Sequence, residues 1–103
     1  MLGLGKWKFQ VKTRFYSGDA YLIVGGKDGE YEVYAELANG KRTDFRFSKL
    51  QLQGSTLTGV AQHSLLQGSQ IPFSATFGDD TASGSLDVPF VGMIRFSNAE
   101  KVG

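Results

Sequence analysis

The chain has no cysteine, two prolines, one histidine and one tryptophan among its 103 residues. Without cysteine there is neither a disulfide framework nor a thiolate metal site, which fits a reducing compartment and makes the cytoplasm the expected location. A single imidazole would have to gather carboxylates with no motif spacing to bring them in, so no metal is expected. Asp79-Asp80 offers two carboxylates but no further oxygen ligands around them, which is the pattern of a turn. Gly25-Gly26-Lys27-Asp28-Gly29 has the glycines of a phosphate-cradling loop but no following helix, so it reads as a hairpin connection and no cofactor is expected. No stretch approaches a membrane span, and Met1-Leu2-Gly3-Leu4-Gly5 lacks the basic and apolar segments of a secretory leader. Charge of one sign is missing as well: eleven basic and ten acidic residues leave a formal net charge of +1. That balance offers no strong field for nucleic acid or an anionic surface.

What the chain does have is alternation. Hydrophobic residues make up 41% of it, with eight Phe among them, and they fall into eight short stretches separated by Gly-, Asn-, Asp- or Pro-containing turns. Trp7, Phe9, Val11 and Thr13 alternate with Lys6, Lys8, Gln10 and Lys12. Residues 20–24 form a continuous apolar run whose inward phase is open: Ala20, Leu22 and Val24, or Tyr21 and Ile23. Tyr31, Val33, Ala35 and Leu37 share one face of the third stretch, and Asn39-Gly40 supplies a positive-φ pair for a tight hairpin. Phe45 and Phe47 disagree in parity with Leu50 and Leu52, which predicts a bulge near Ser48-Lys49. The remaining strands are expected over 56–63, 70–77, 81–88 and 92–98. Pro72, with no amide donor, makes the sixth irregular or exposed at that point. Thr56-Leu57-Thr58-Gly59 is echoed by Thr81-Ala82-Ser83-Gly84, and an inward glycine at each place would let a small barrel bend.

Short connections between successive strands argue for an antiparallel meander. The expected fold is all-β: one domain over residues 1–103 forming an eight-stranded antiparallel up-and-down barrel, with a two-layer β-sandwich as the alternative. In such a barrel the connections after odd-numbered strands gather at one end. They are unusually apolar: Phe15 and Tyr16, Leu65 and Leu66, and Val88-Pro89-Phe90-Val91. Residues of this kind in loops plug the barrel, surround a ligand cavity or contact another subunit.

Gly5-Lys6-Trp7, at the opening of the first of eight strands, resembles the Gly-x-Trp of lipocalins and the wider calycin barrels. The chain is shorter than a typical lipocalin and lacks the second motif and the disulfide cysteines, so it looks like a minimal calycin-like barrel. The resemblance implies that Trp7 seals the closed end beneath Arg95, leaving the apolar end as the mouth. Simple alternation, by contrast, sends Arg95 outward.

The leading expectation is therefore a small lipocalin-like barrel binding an apolar or amphipathic small molecule. Phe15, Tyr16, Leu65, Leu66 and Phe90 would surround the entrance, and Tyr31 would line the interior. His63, with Arg14, would face a polar or carboxylate head group. The alternative is a structural or interaction module, a homodimer among the options, whose barrel is filled by its own side chains. No nucleophile or carboxylate stands beside His63 in a catalytic pattern, so no catalytic residue is assigned and an enzyme is the weaker reading.

Overall fold

The computed structural model describes residues 2–14, 16–66 and 68–103. Eight antiparallel strands run in chain order: β1 (Gly5–Lys12), β2 (Ser17–Lys27), β3 (Glu30–Leu37), β4 (Arg46–Gln53), β5 (Thr56–Gln62), β6 (Ile71–Phe77), β7 (Thr81–Val88) and β8 (Gly92–Lys101). They form one sheet in the order β3-β2-β1-β8-β7-β6-β5-β4, curled into a nearly closed up-and-down barrel. Among the described residues, no helix is long and apolar enough to cross a membrane.

Register settles what alternation left open. Residues opposite one another on antiparallel strands share a face. Trp7 pairs with Leu22, and Leu22 with Ala35. Burying Trp7 therefore pulls the even-numbered residues of β2 inward, and Ala20, Leu22 and Val24 are all buried. Two further strands switch phase through bulges. In β4 the register shifts between Ser48 and Gln51, with Lys49 in a left-handed conformation at φ 54°. Gly59 lies opposite: a Cβ there would fall 2.7 Å from the Leu50 side chain and 2.8 Å from the Ser48 carbonyl, so this glycine accommodates the bulge. In β8, Ser97 and Asn98 together oppose Ser83, and Asn98 has φ 57°. Ile94 and Phe96 face inward before this bulge and Ala99 after it. The strand thus continues to Lys101, past the expected end at Asn98. Pro72 is exposed, and the β6–β7 ladder begins only at the next residue, Phe73.

The turn after β3 differs from the expected tight hairpin. Only Gly40 is left-handed (φ 80°), while Asn39 is not. The amide of Gly40 donates to the Leu37 carbonyl at 2.9 Å and that of Leu37 to the Lys41 carbonyl at 3.0 Å. This three-residue connection starts a hairpin that runs through the Glu36–Arg42 bridge to the Thr43 N–H···O=C Ala35 bond of 2.9 Å. No β3–β4 ladder continues beyond it among the described residues. Closure is made instead by β1 and β8, through Trp7–Lys101 and Lys8–Glu100, so the seam of the barrel falls between β3 and β4.

Candidate functional site

The two ends of the barrel are built differently. At the end reached by the β2–β3, β4–β5 and β6–β7 turns, Trp7 is 2% exposed and packs 5.4 Å from the Phe77 ring. Its indole N–H donates to the carbonyl of Gly3 at 2.9 Å. Gly3 has φ 83°, and a Cβ there would lie 2.6 Å from the Phe77 ring. Only glycine fits both the backbone and the ring, so residues 2–4 lie across this end as a cap. The hydroxyl of Tyr31 donates to the carbonyl of Leu2 at 2.7 Å and ties the cap to β3. Tyr31, expected among the binding residues, thus sits at the closed end and outside the cavity described below.

Arg95 does not cover Trp7. It lies outward on β8 opposite Ser85, exposed, with its Nε–H directed at the sulfur of Met93 at 2.8 Å. The β8 bulge lies beyond Arg95 and turns Ala99 inward, leaving the guanidinium on the solvent side where no buried partner is needed. Lys49 is likewise exposed, at the apex of the β4 bulge.

The opposite half is hollow. A cavity of about 560 Å³ opens between the β1–β2, β3–β4, β5–β6 and β7–β8 connections. Its interior walls are hydrocarbon and aromatic: Phe9 and Leu22, Phe47 and Phe73, Leu86 and Phe96. Side chains therefore fill only the closed half of the barrel. Tyr16, His63, Leu65, Leu66 and Phe90 all line this cavity toward its mouth, whereas Phe15 lies outside the described residues.

The polar groups there are largely engaged. The Tyr16 hydroxyl donates to the Asp19 carbonyl at 2.7 Å, so it holds its own turn while its ring faces the cavity. The His63 ring stands edge-on to Phe45 at 4.8 Å, and its Nδ1 accepts the Leu65 amide at 3.1 Å. The neutral imidazole consequently carries its proton on Nε2 and presents a donor there. Arg14, exposed on the β1–β2 connection, is not among the lining residues. Among the described residues no group of three or more His, Asp or Glu side chains is placed to hold a metal ion.

The walls made by Phe9, Phe47, Phe73 and Phe96 were legible only as inward-facing residues. Parity tells which way a ring points, whereas whether rings meet across a barrel depends on its radius and closure.

No protein-family model matches this chain, and no curated protein or solved structure matches it either. A reading of what the barrel does therefore rests on its geometry.

Proposed function

We propose that the chain is a small calycin-like barrel that holds an apolar or amphipathic molecule in its open half. The observation that carries this reading is the 560 Å³ cavity walled by carbon beneath a ring of apolar loops. That volume lies within the range of roughly 300–1,000 Å³ usual for ligand pockets. Water inside such a space finds few hydrogen-bond partners, so an apolar occupant that displaces it gains from burial on both sides. Nε2–H of His63, left as a donor by the bond its Nδ1 accepts, would take a carboxylate, carbonyl or hydroxyl head group at the mouth. The Gly5-Lys6-Trp7 opening and the sealed end beneath the cavity favour the lipocalin-like reading over an interaction module with a filled core.

Native mass spectrometry of freshly purified protein, followed by displacement of an environment-sensitive fluorophore with long-chain fatty acids, tests the proposal. The expected result is a one-to-one complex with the monomer. Ala35→Trp, which fills the cavity from β3, should abolish it while far-ultraviolet circular dichroism stays native. A folded protein that takes up neither probe nor fatty acid would sink the reading.

A further inference from the structure

Four residues outside glycine have a left-handed backbone among those described: Asp28, Lys49, Asn98 and Phe90. Three are polar, and Asp and Asn tolerate that region through local side-chain hydrogen bonds. Phe90 has no such compensation. It occupies the third position of the turn Val88-Pro89-Phe90-Val91, closed by the Val91 N–H···O=C Val88 bond of 3.2 Å. Proline at the second position and φ 70° at the third match a type II turn, whose third position calls for glycine or asparagine. Here it holds an aromatic ring that is 91% exposed. Strain and exposure together retain a side chain that the fold itself does not use, and this is the mark of a contact made with something else.

Leu65, on the β5–β6 connection beside it around the rim, is 84% exposed. The loops also divide by charge in a way the near-neutral total conceals. Connections at the mouth carry Arg14, Lys41 and Arg42 against Asp44 alone, whereas those at the closed end carry Asp28, Asp79 and Asp80, with Lys27 at the end of β2 the cation beside Asp28. Arg42 lies 3.8 Å from Glu36 and stacks on Tyr34, but Arg14 and Lys41 have no ion-pair partner among the described residues. The mouth thus presents two protruding apolar side chains amid unpaired positive charge, and the far pole is acidic.

We infer that the mouth of the barrel docks on an anionic phospholipid bilayer surface, with Phe90 and Leu65 entering the headgroup region and Arg14 and Lys41 contacting lipid phosphates and carboxylates. Basic residues near such a surface are drawn to its negative potential, and apolar side chains add burial at the acyl boundary. The acidic pole disfavours the reverse orientation. Docking goes beyond the cavity reading and can stand or fall separately, because it needs the rim and not an occupant.

The test is co-sedimentation of the full chain with vesicles of equal parts phosphatidylcholine and phosphatidylserine, with pure phosphatidylcholine vesicles as the comparison. Binding to the anionic vesicles alone, weakening as salt is added, is expected. Phe90→Gly removes the ring and relieves the backbone. It should lower vesicle affinity about tenfold or more while the unfolding midpoint holds or rises. The double variant Arg14→Glu, Lys41→Glu should abolish binding. Ala35→Trp, with an intact rim, should bind vesicles like the wild type even though its cavity is filled. Equal binding by wild type and Phe90→Gly would overturn the inference, as would a wild type that leaves anionic vesicles unbound. A dimer in sedimentation velocity that Phe90→Gly dissociates would assign the rim to a second copy and overturn it too.

Discussion

The rings of Phe9 and Phe96 stack with their centroids 4.4 Å apart, joining β1 to β8 across the inside of the barrel. Both rings pack against the buried cluster around Trp7 and both line the cavity, so the stack is the boundary between the filled half and the hollow half. Phe96 reaches this position because Gly84, opposite it on β7, offers no side chain: a Cβ there would lie 2.6 Å from the Phe96 ring.

Truncating the stack should deepen the cavity. Phe96→Ala removes a half-buried ring and leaves Phe9 without its partner, which should lower stability by about 2–4 kcal/mol. Urea denaturation measures the loss. If the cavity holds a ligand, the same variant should accept longer fatty acids than the wild type in the displacement assay, and an unchanged chain-length preference would show that the stack is not the floor.

Gly84→Ala tests the reason for the stack from the other side. The added methyl would meet the Ser74 carbonyl of β6 as well as the Phe96 ring. The carbonyl belongs to a paired strand and cannot move without disturbing the β6–β7 ladder. Overpacking of this kind costs about 1–3 kcal/mol, so a clear fall in melting temperature is expected. Gly29→Ala provides the contrast: nothing lies within 4 Å of its added Cβ, and the cost there should come only from the backbone at φ 81°.

Hydrogen exchange should locate the seam. β1 and β7 each have a hydrogen-bonded neighbour on both sides, whereas β3 and β4 are the outer strands of the order, and the hydrogen bonds that link β3 to the chain leading into β4 lie near the mouth. Seam-facing amides of β3 and β4 toward the closed end should exchange much faster than amides in the middle of β7, with Thr43 protected by its bond to Ala35. Uniform protection around the barrel would mean that β3 and β4 pair along their whole length in solution.

Much of this protein could be read directly from its residues, because a half-buried strand has a period of two and this chain keeps that period through most of its length. Strand count, the inward faces of β1, β3, β6 and β7, and the β4 bulge all follow from parity and turn chemistry. The apolar character of the loops now found at the mouth was legible for the same reason: hydrophobic residues stood where turns were required. Periodicity has no information where every residue is apolar, as in β2, and there the phase came from pairing with β1 and the burial of Trp7. It also fails past a bulge, which is why the end of β8 was set too early. Closure was decided only by the tertiary structure, since the aborted β3–β4 hairpin leaves β1 and β8 to join the sheet. Where the charges gather was hidden for a related reason. A net charge near zero is a sum over the chain, and only the up-and-down path sends the acidic turns to one pole and the basic ones to the other. Whether facing aromatic rings touch or leave a cavity depends on distances across the barrel that no local pattern encodes, so the hollow half and its floor belong to the fold as a whole.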